Sequence, residues 1–338
     1  MRRGRVGLVV AALCFALAGQ ALADLMFSEG ALDPSLRTGR FVAADGRELE
    51  FRRQGALMLL PNGGDYQWWY GCSPTSAGMM MGYYDRNGYA SLGYSNLVPG
   101  GLAESETYVG PPTGWAALAN NAIASTGHVA DFYGGGYGAS GDDVPPPFHQ
   151  FNCIADFMGT SQDSVGNSNG WTTFYYWTNG APFTAADAWT YGVWNLDGMY
   201  GIGEYVQYAG YNYSTLYTQL ADNQGLQYGF TFDQYKAEID AGRPVLIHVE
   251  GHTMLGYGYD DTQAPLVYLY DTWTPGTPAP PGHTMQWGGF YGGFGQWGVT
   301  VLEITGGEGQ QQENIPEPAT LSLLAAALAA VAYRRRKR

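Results

Sequence analysis

The stretch from Thr231 to Asp271 constrains the fold more than any other part of this 338-residue chain. Thr231 and Gln234 stand three apart, the spacing of a reciprocal cap at a helix start. Phe232, Tyr235 and Ile239 then mark one face at helical period. Gly242 supplies the residue type that ends a helix in a left-handed turn. Pro244 to Val249 reads as a buried strand, Glu250-Gly251 turns the chain, Thr253 to Tyr259 returns as a second strand, and Leu266 to Tyr270 makes a third. A helix followed by consecutive strands is the order of an α+β domain in which an antiparallel sheet packs on helices.

A second helix is legible upstream. Pro74 sits where a first-turn proline is tolerated, and Ala77, Met80, Met81 and Tyr84 recur at helical spacing before Asn87-Gly88 breaks the pattern. This predicts a buried helix over Ser73 to Tyr84, with the methionines as core packing. Arg40 to Ala43 and Glu48 to Phe51 suggest a short strand pair in an N-terminal extension, 24–61. The main domain then covers 62–305. It carries an insertion over about 104–200 rich in Gly, Pro, Asn and Tyr, with short helical pieces such as Trp115 to Ala124. No repeat of fixed period marks a solenoid or propeller.

The two ends speak for export. Arg2, Arg3 and Arg5 precede an apolar run from Val6 to Ala18, and Ala21-Leu22-Ala23 has the small-x-small pattern of a cleavage site, so 1–23 reads as a signal peptide. At the other end a Gln-rich polar spacer, 306–315, leads to Pro316-Glu317-Pro318 and an uncharged stretch from Ala319 to Tyr333. Arg334-Arg335-Arg336-Lys337-Arg338 closes it, the arrangement of a transmembrane helix held by cations on the cytoplasmic side. Residues 316–338 resemble the PEP-CTERM sorting domain of exported bacterial proteins. The resemblance implies a Gram-negative host, the secretion translocon and an exosortase-type processing enzyme as partners, transient inner-membrane anchoring, and delivery to the cell surface or extracellular matrix. Eight of the 16 Lys and Arg residues fall in these two ends, so the body is more acidic than the net −14 of the whole chain. A field of that sign repels phosphate backbones, which excludes nucleic acid as a partner.

With Cys14 in the signal, Cys72 and Cys153 remain, and in an exported protein a disulfide between them is one use. The other is chemical. Cys72 stands at the first turn of the predicted helix, where unpaired N–H groups and the helix dipole favour a thiolate. A nearby imidazole completes the activation of such a nucleophile. Among His128, His149, His248, His252 and His283, His252 is favoured because it opens a strand just after the Glu250-Gly251 turn. Asp271 ends the next strand, where a carboxylate can orient the imidazole. His248, Glu250 and His252 alternate and would share one face of an unbroken strand as a zinc trio, but Gly251 argues for a turn between them. The oxygen donors of Tyr83 to Gly88 lack calcium-loop spacing and read as a helix end.

Tyr70-Gly71-Cys72-Ser73-Pro74-Thr75, Gly251 to Tyr257, Val267 to Asp271 and Asp240 to Val245 together resemble the papain-fold cysteine peptidases, in the bacteriocin-processing-like branch. That resemblance implies a papain-like α+β fold with the cysteine helix packed on an antiparallel sheet. It implies Cys72 as nucleophile, His252 as general base and acid, and Asp271 as orienting carboxylate, acting on a peptide or protein substrate through a thioester. No cofactor and no metal is expected. Gln67 is the candidate oxyanion donor, one position closer to the cysteine than the usual spacing, and Ser73 stands where the family often has glycine. The alternative reading is a non-catalytic surface or matrix protein whose 26 Tyr and 10 Trp stack on an exopolysaccharide.

Overall fold

The computed structural model describes residues 40–42, 48–50, 57–61, 64–88, 97–98, 115–132, 143–144, 146, 148–274 and 283–306. The signal, the polar spacer and the sorting tail lie outside them. In chain order the elements are β1 (Arg40–Val42), β2 (Glu48–Glu50), β3 (Leu57–Leu59), α1 (Cys72–Asn87), α2 (Trp115–Ile123), α3 (Thr126–Phe132) and α4 (Ile154–Phe157). They continue with β4 (Phe183–Thr184), α5 (Ala185–Thr190), α6 (Gly198–Tyr208), β5 (Asn212–Leu220), α7 (Phe232–Asp240), β6 (Val245–Val249) and β7 (His252–Asp260). β8 (Leu266–Tyr270), β9 (His283–Gln286), β10 (Phe290–Tyr291) and β11 (Phe294–Thr305) complete the order.

One antiparallel sheet organises the domain, with strand order β4-β5-β11-β6-β7-β8-β9; β3 pairs with β7 and β10 with β11 at its margins. β1 and β2 form the separate antiparallel pair read from the sequence. The sheet is covered on both faces, which is why β7 is buried along almost its whole length instead of alternating. Thr253 meets α1, while Gly256 lies under Tyr235 of α7, and positions of opposite parity on a strand point to opposite faces. Tyr235 donates to the Gly258 carbonyl at 2.8 Å and Tyr84 of α1 to the Leu302 carbonyl at 3.0 Å. Each face is thus tied to the sheet by a buried phenol.

The expected α+β class is the observed one, and the local signals mostly resolve as expected. The Thr231–Gln234 capping box is present with both bonds, and Gly242 ends α7 in a left-handed conformation. The cysteine helix begins at Cys72 and runs to Asn87, a turn longer than its apolar stripe, because Gly88 closes it with its N–H on the Tyr84 carbonyl. Met79, Met80 and Met81 are all fully buried. Within 104–200, β4 joins the sheet edge beside β5, and Cys153, Ile154, Ala155 and Met158 pack into the same cluster as α1.

Close passage of α6 over the chain after α4 gives a test. A Cβ at Gly201 would fall 2.0 Å from the Phe157 carbonyl oxygen and 2.6 Å from the Met158 Cα, both main chain and unable to swing away. Gly201→Ala is expected to cost about 2 kcal/mol or more, in the range of an overpacked core. Thr231→Ala, which removes only a cap, is expected to cost about 1 kcal/mol. Urea midpoints of the two variants check the order; equal midpoints would contradict the packing argument.

Candidate active site

Cys72 reaches its position through strain before the helix. Tyr70 has φ 57° and Gly71 has φ 154°, a reversal that delivers the chain into α1 with the cysteine at its first position. A side chain at Gly71 would lie 2.7 Å from Pro74 Cγ and 2.9 Å from Thr160 Cγ2, so only glycine fits the approach. No side chain caps α1, which leaves the N–H groups of its first turn directed outward. Thr75 Oγ1 instead braces the entry, donating to the Gly71 carbonyl at 2.6 Å and accepting from the Trp69 N–H at 3.0 Å.

The β6–β7 hairpin brings the second half. Gly251 turns with φ 69°, and β7 opens on His252. Ser73 Oγ lies 2.9 Å from Thr253 Oγ1, and Ser76 Oγ donates to the Thr253 carbonyl at 3.0 Å, so the head of α1 is docked on the residue after the histidine. Cys72 and His252 line one cavity of about 380 Å3, walled by Trp68, Trp171, Phe174, Trp273 and Trp297 with Asn167 and Asn169. Aromatic walls with a few polar groups are typical of a binding pocket of this size.

His252 Nε2 lies 2.9 Å from the main-chain oxygen of Asp271. A carbonyl only accepts, so Nε2 carries the proton and Nδ1 is left with its lone pair. The ring is stacked on Trp273 at 3.9 Å between centroids. Asp271 therefore meets the imidazole through its carbonyl and not through its carboxylate. The carboxylate is engaged by Tyr291 Oη at 2.6 Å, Thr274 Oγ1 at 2.9 Å and the N–H groups of Trp273 and Thr274, both at 3.0 Å. These donors hold its pKa below the ordinary value although burial pushes the other way. Its bonds shape the turn that sets both the carbonyl and the stacked indole. Gln67 is half-buried and does not line the cavity, whereas its neighbour Trp68 does, with its N–H on the Thr272 carbonyl at 2.6 Å.

The thiolate expected from the helix start is not favoured. Burial pushes the Cys72 thiol up, against hydrogen bonds from the Thr253 and Ser73 main chain that pull it down. Burial also lowers His252, opposed by the bond to Asp271. Both shifts favour the uncharged forms, so the resting pair is thiol and neutral imidazole. Cys72 and Cys153 are both free, so the disulfide use does not occur.

The alternative zinc trio does not assemble. His248 is a fully buried core residue whose ring nitrogens are bonded to Thr253 Oγ1 at 3.0 Å and Thr300 Oγ1 at 2.8 Å, and burial lowers its pKa to about 3. Sequence reasoning missed Thr253 and Trp273. Trp273 lies only two positions beyond Asp271, but no local pattern says that the turn will fold its indole back over His252.

A family model described as Peptidase_C39 like family matches residues 53–280, and one described as PEP-CTERM protein-sorting motif matches residues 314–337. No curated protein and no solved structure matches the chain. Among the described residues no helix is long and apolar enough to cross a membrane.

A neutral pair gives a distinct labelling profile. Iodoacetamide is expected to react slowly with Cys72 at neutral pH and faster as pH rises beyond 9.0, the ordinary thiol value. A rate already at its plateau near pH 6, as for a thiolate–imidazolium pair, would contradict the assignment.

Proposed function

The chain belongs to the Peptidase_C39 like family, and on that ground we propose that it is an exported cysteine peptidase with Cys72 as nucleophile and His252 as its base. The observation that carries the reading is the shared cavity: the head of α1 and the head of β7 present a thiol and an imidazole to one aromatic-walled space.

In the proposed reaction the Cys72 S–H proton passes to His252 Nδ1 as the sulfur attacks the scissile carbonyl carbon. The tetrahedral oxyanion is met by the Cys72 main-chain N–H, which α1 leaves without a helical partner, and a second donation from Gln67 requires its side chain to turn into the cavity when substrate binds. His252 returns the proton to the departing amine, and a thioester remains. Water then attacks the thioester carbon, gives its proton to His252, and the protonated sulfur leaves as the acid product is released. Asp271 acts as a positioning residue: its carbonyl holds the tautomer in which Nδ1 is basic, and its carboxylate organises the turn that stacks Trp273 on the ring. The four tryptophans and Phe174 around the cavity favour a substrate with an apolar side chain beside the cleaved bond. For the sorting segment the proposal is processing near Pro316-Glu317-Pro318 by an exosortase-type enzyme, followed by release towards the cell surface.

Cleavage of a casein or mixed-peptide substrate tests the roles. Cys72→Ser and His252→Ala are each expected to lower kcat/KM by at least about a thousandfold, the scale of losing a nucleophile or its base. Gln67→Ala is expected to lower kcat about a hundredfold with KM little changed, as for a lost oxyanion donor. Asp271→Asn is expected to cost less than about tenfold, because the main-chain carbonyl survives. A loss near the ten-thousandfold seen when an orienting carboxylate is removed would overturn the positioning role. Undiminished cleavage by Cys72→Ser would overturn the function itself.

The pH dependence follows from the same pair. His252 must be neutral and lies below its ordinary value of 6.5, while Cys72 lies above 9.0. The acid limb of kcat/KM is therefore expected below pH 6.5 and the alkaline limb above pH 9. A narrow optimum inside that window would contradict it.

A further inference from the structure

Away from the cavity, the end of α3 and the head of α4 gather a second set of ionisable groups that the proposed peptidase chemistry does not use. His149 Nδ1 lies 3.5 Å from Asp131 Oδ2, 3.5 Å from Asp143 Oδ1 and 3.8 Å from Asp156 Oδ1. His128 Nδ1 lies 2.8 Å from Asp156 Oδ1 and 3.3 Å from Asp143 Oδ2. The side chains of His128, Asp143 and Asp156 have no solvent exposure. Neither oxygen of Asp143 has a hydrogen-bond partner, and the same holds for Asp131 Oδ2 and His149 Nδ1.

Three carboxylates converging in a protein interior with unsatisfied oxygens carry a large desolvation cost unless a cation compensates them. The spacings say which kind. Contacts of 3.5–3.8 Å are too long for hydrogen bonds. Ligand atoms about 2.0–2.2 Å from a tetrahedral ion lie roughly 3.3–3.6 Å from one another. The ligand atoms of Asp131, Asp143 and His149 all fall within 4.8 Å of one another. The histidine is also held to the task, since a Cβ on Gly127 would meet His149 Nε2 at 2.1 Å. That edge of the ring is pressed on α3, and Nδ1 is the atom turned to the carboxylates.

We propose that Asp131, Asp143 and His149 bind one divalent first-row cation, zinc being the ion best suited to imidazole with carboxylates, as a structural clamp, with Asp156 Oδ1 behind it at 3.8 Å from His149 Nδ1. His128 supports that arrangement by donating Nδ1–H to Asp156. The ion ties the end of α3 to residues 143 and 149, and His128 and His149 pass that restraint to Asp156 at the head of α4. Through Asp156 it also steadies the cavity wall: the Asp156 carbonyl accepts from Gln162 Nε2 at 3.2 Å, and the Gln162 carbonyl accepts from the Asn167 N–H at 3.0 Å. Asn167 lines the cavity. All three ligands are nitrogen or oxygen, so Cys153 stays a thiol beside the site.

The test uses the full chain, purified without chelator, with metal content read by mass spectrometry and melting followed with and without EDTA and added zinc chloride. The expected result is about one equivalent of zinc, a Tm lowered by chelation and restored by zinc. Asp143→Asn loses the metal and Cys153→Ser keeps it. Should Asp143→Asn fail to fold, the partly exposed Asp131→Asn reads the same loss. Cobalt exchanged into the site is expected to show visible bands of a tetrahedral centre without a sulfur charge-transfer band. A sulfur band would move the ion onto His128, Cys153 and Asp156 and overturn the assigned ligands. No bound metal, together with melting indifferent to EDTA and zinc, would overturn the site.

Discussion

The contact between Ser73, Ser76 and Thr253 is the constraint on which the catalytic proposal depends. Cys72 and His252 are 180 positions apart and sit on different elements. Nothing local relates them. Two hydroxyls in the first turns of α1 bind the side chain and the carbonyl of the residue after the histidine, and this fastens helix to hairpin at the point where sulfur and imidazole must share space. The bonds are buried, so breaking them leaves polar groups without water. The same residue serves twice more, with its N–H towards the sulfur and its Oγ1 towards His248. Serine at position 73, where the resembling family often has glycine, supplies one of the two hydroxyls in this fastening.

Legibility followed the range of the interaction. α7 and β6–β8 could be read because their signals are local: a capping box, a helix-ending glycine, and apolar runs between turns. The start of α1 was legible for the same reason. The stretch 104–200 was not, since its glycines serve close passages such as that of Gly198 past Thr172 and Phe174, and a close passage has no sequence neighbour to announce it. Cys72 and His252 were singled out from their place at element starts, and the fold brings both to one cavity. The manner in which Asp271 acts was hidden, because choosing between its carbonyl and its carboxylate requires knowing that Tyr291 and Thr274 compete for the latter. The ionisation of Cys72 was misjudged for a related reason. A helix terminus contributes a modest stabilisation of charge, and desolvation in the aromatic-walled cavity outweighs it.

Aromatic content also changes meaning with the fold in view. Tyr66, Tyr84, Tyr205, Tyr235, Phe132, Phe183 and Phe230 are among the largest fully buried side chains. Most of the unusual tyrosine enrichment visible in the interior is therefore core material whose hydroxyls find carbonyls, as Tyr84, Tyr205 and Tyr235 do. Four of the ten tryptophans, Trp68, Trp171, Trp273 and Trp297, line the cavity instead, a low-polarity surround that favours the uncharged forms of Cys72 and His252.

The strand order has a consequence for timing. β11 lies between β5 and β6, so the sheet keeps an open slot, with two unpaired edges, until residues 294–305 arrive to fill it. A chain threaded across a membrane from its first residue would emerge with its cysteine helix long before, and its histidine hairpin shortly before, that wedge. Such a molecule would keep its sheet open for nearly the whole of its passage. Completion by a late segment would make the far side of the membrane the first place where the sheet can close.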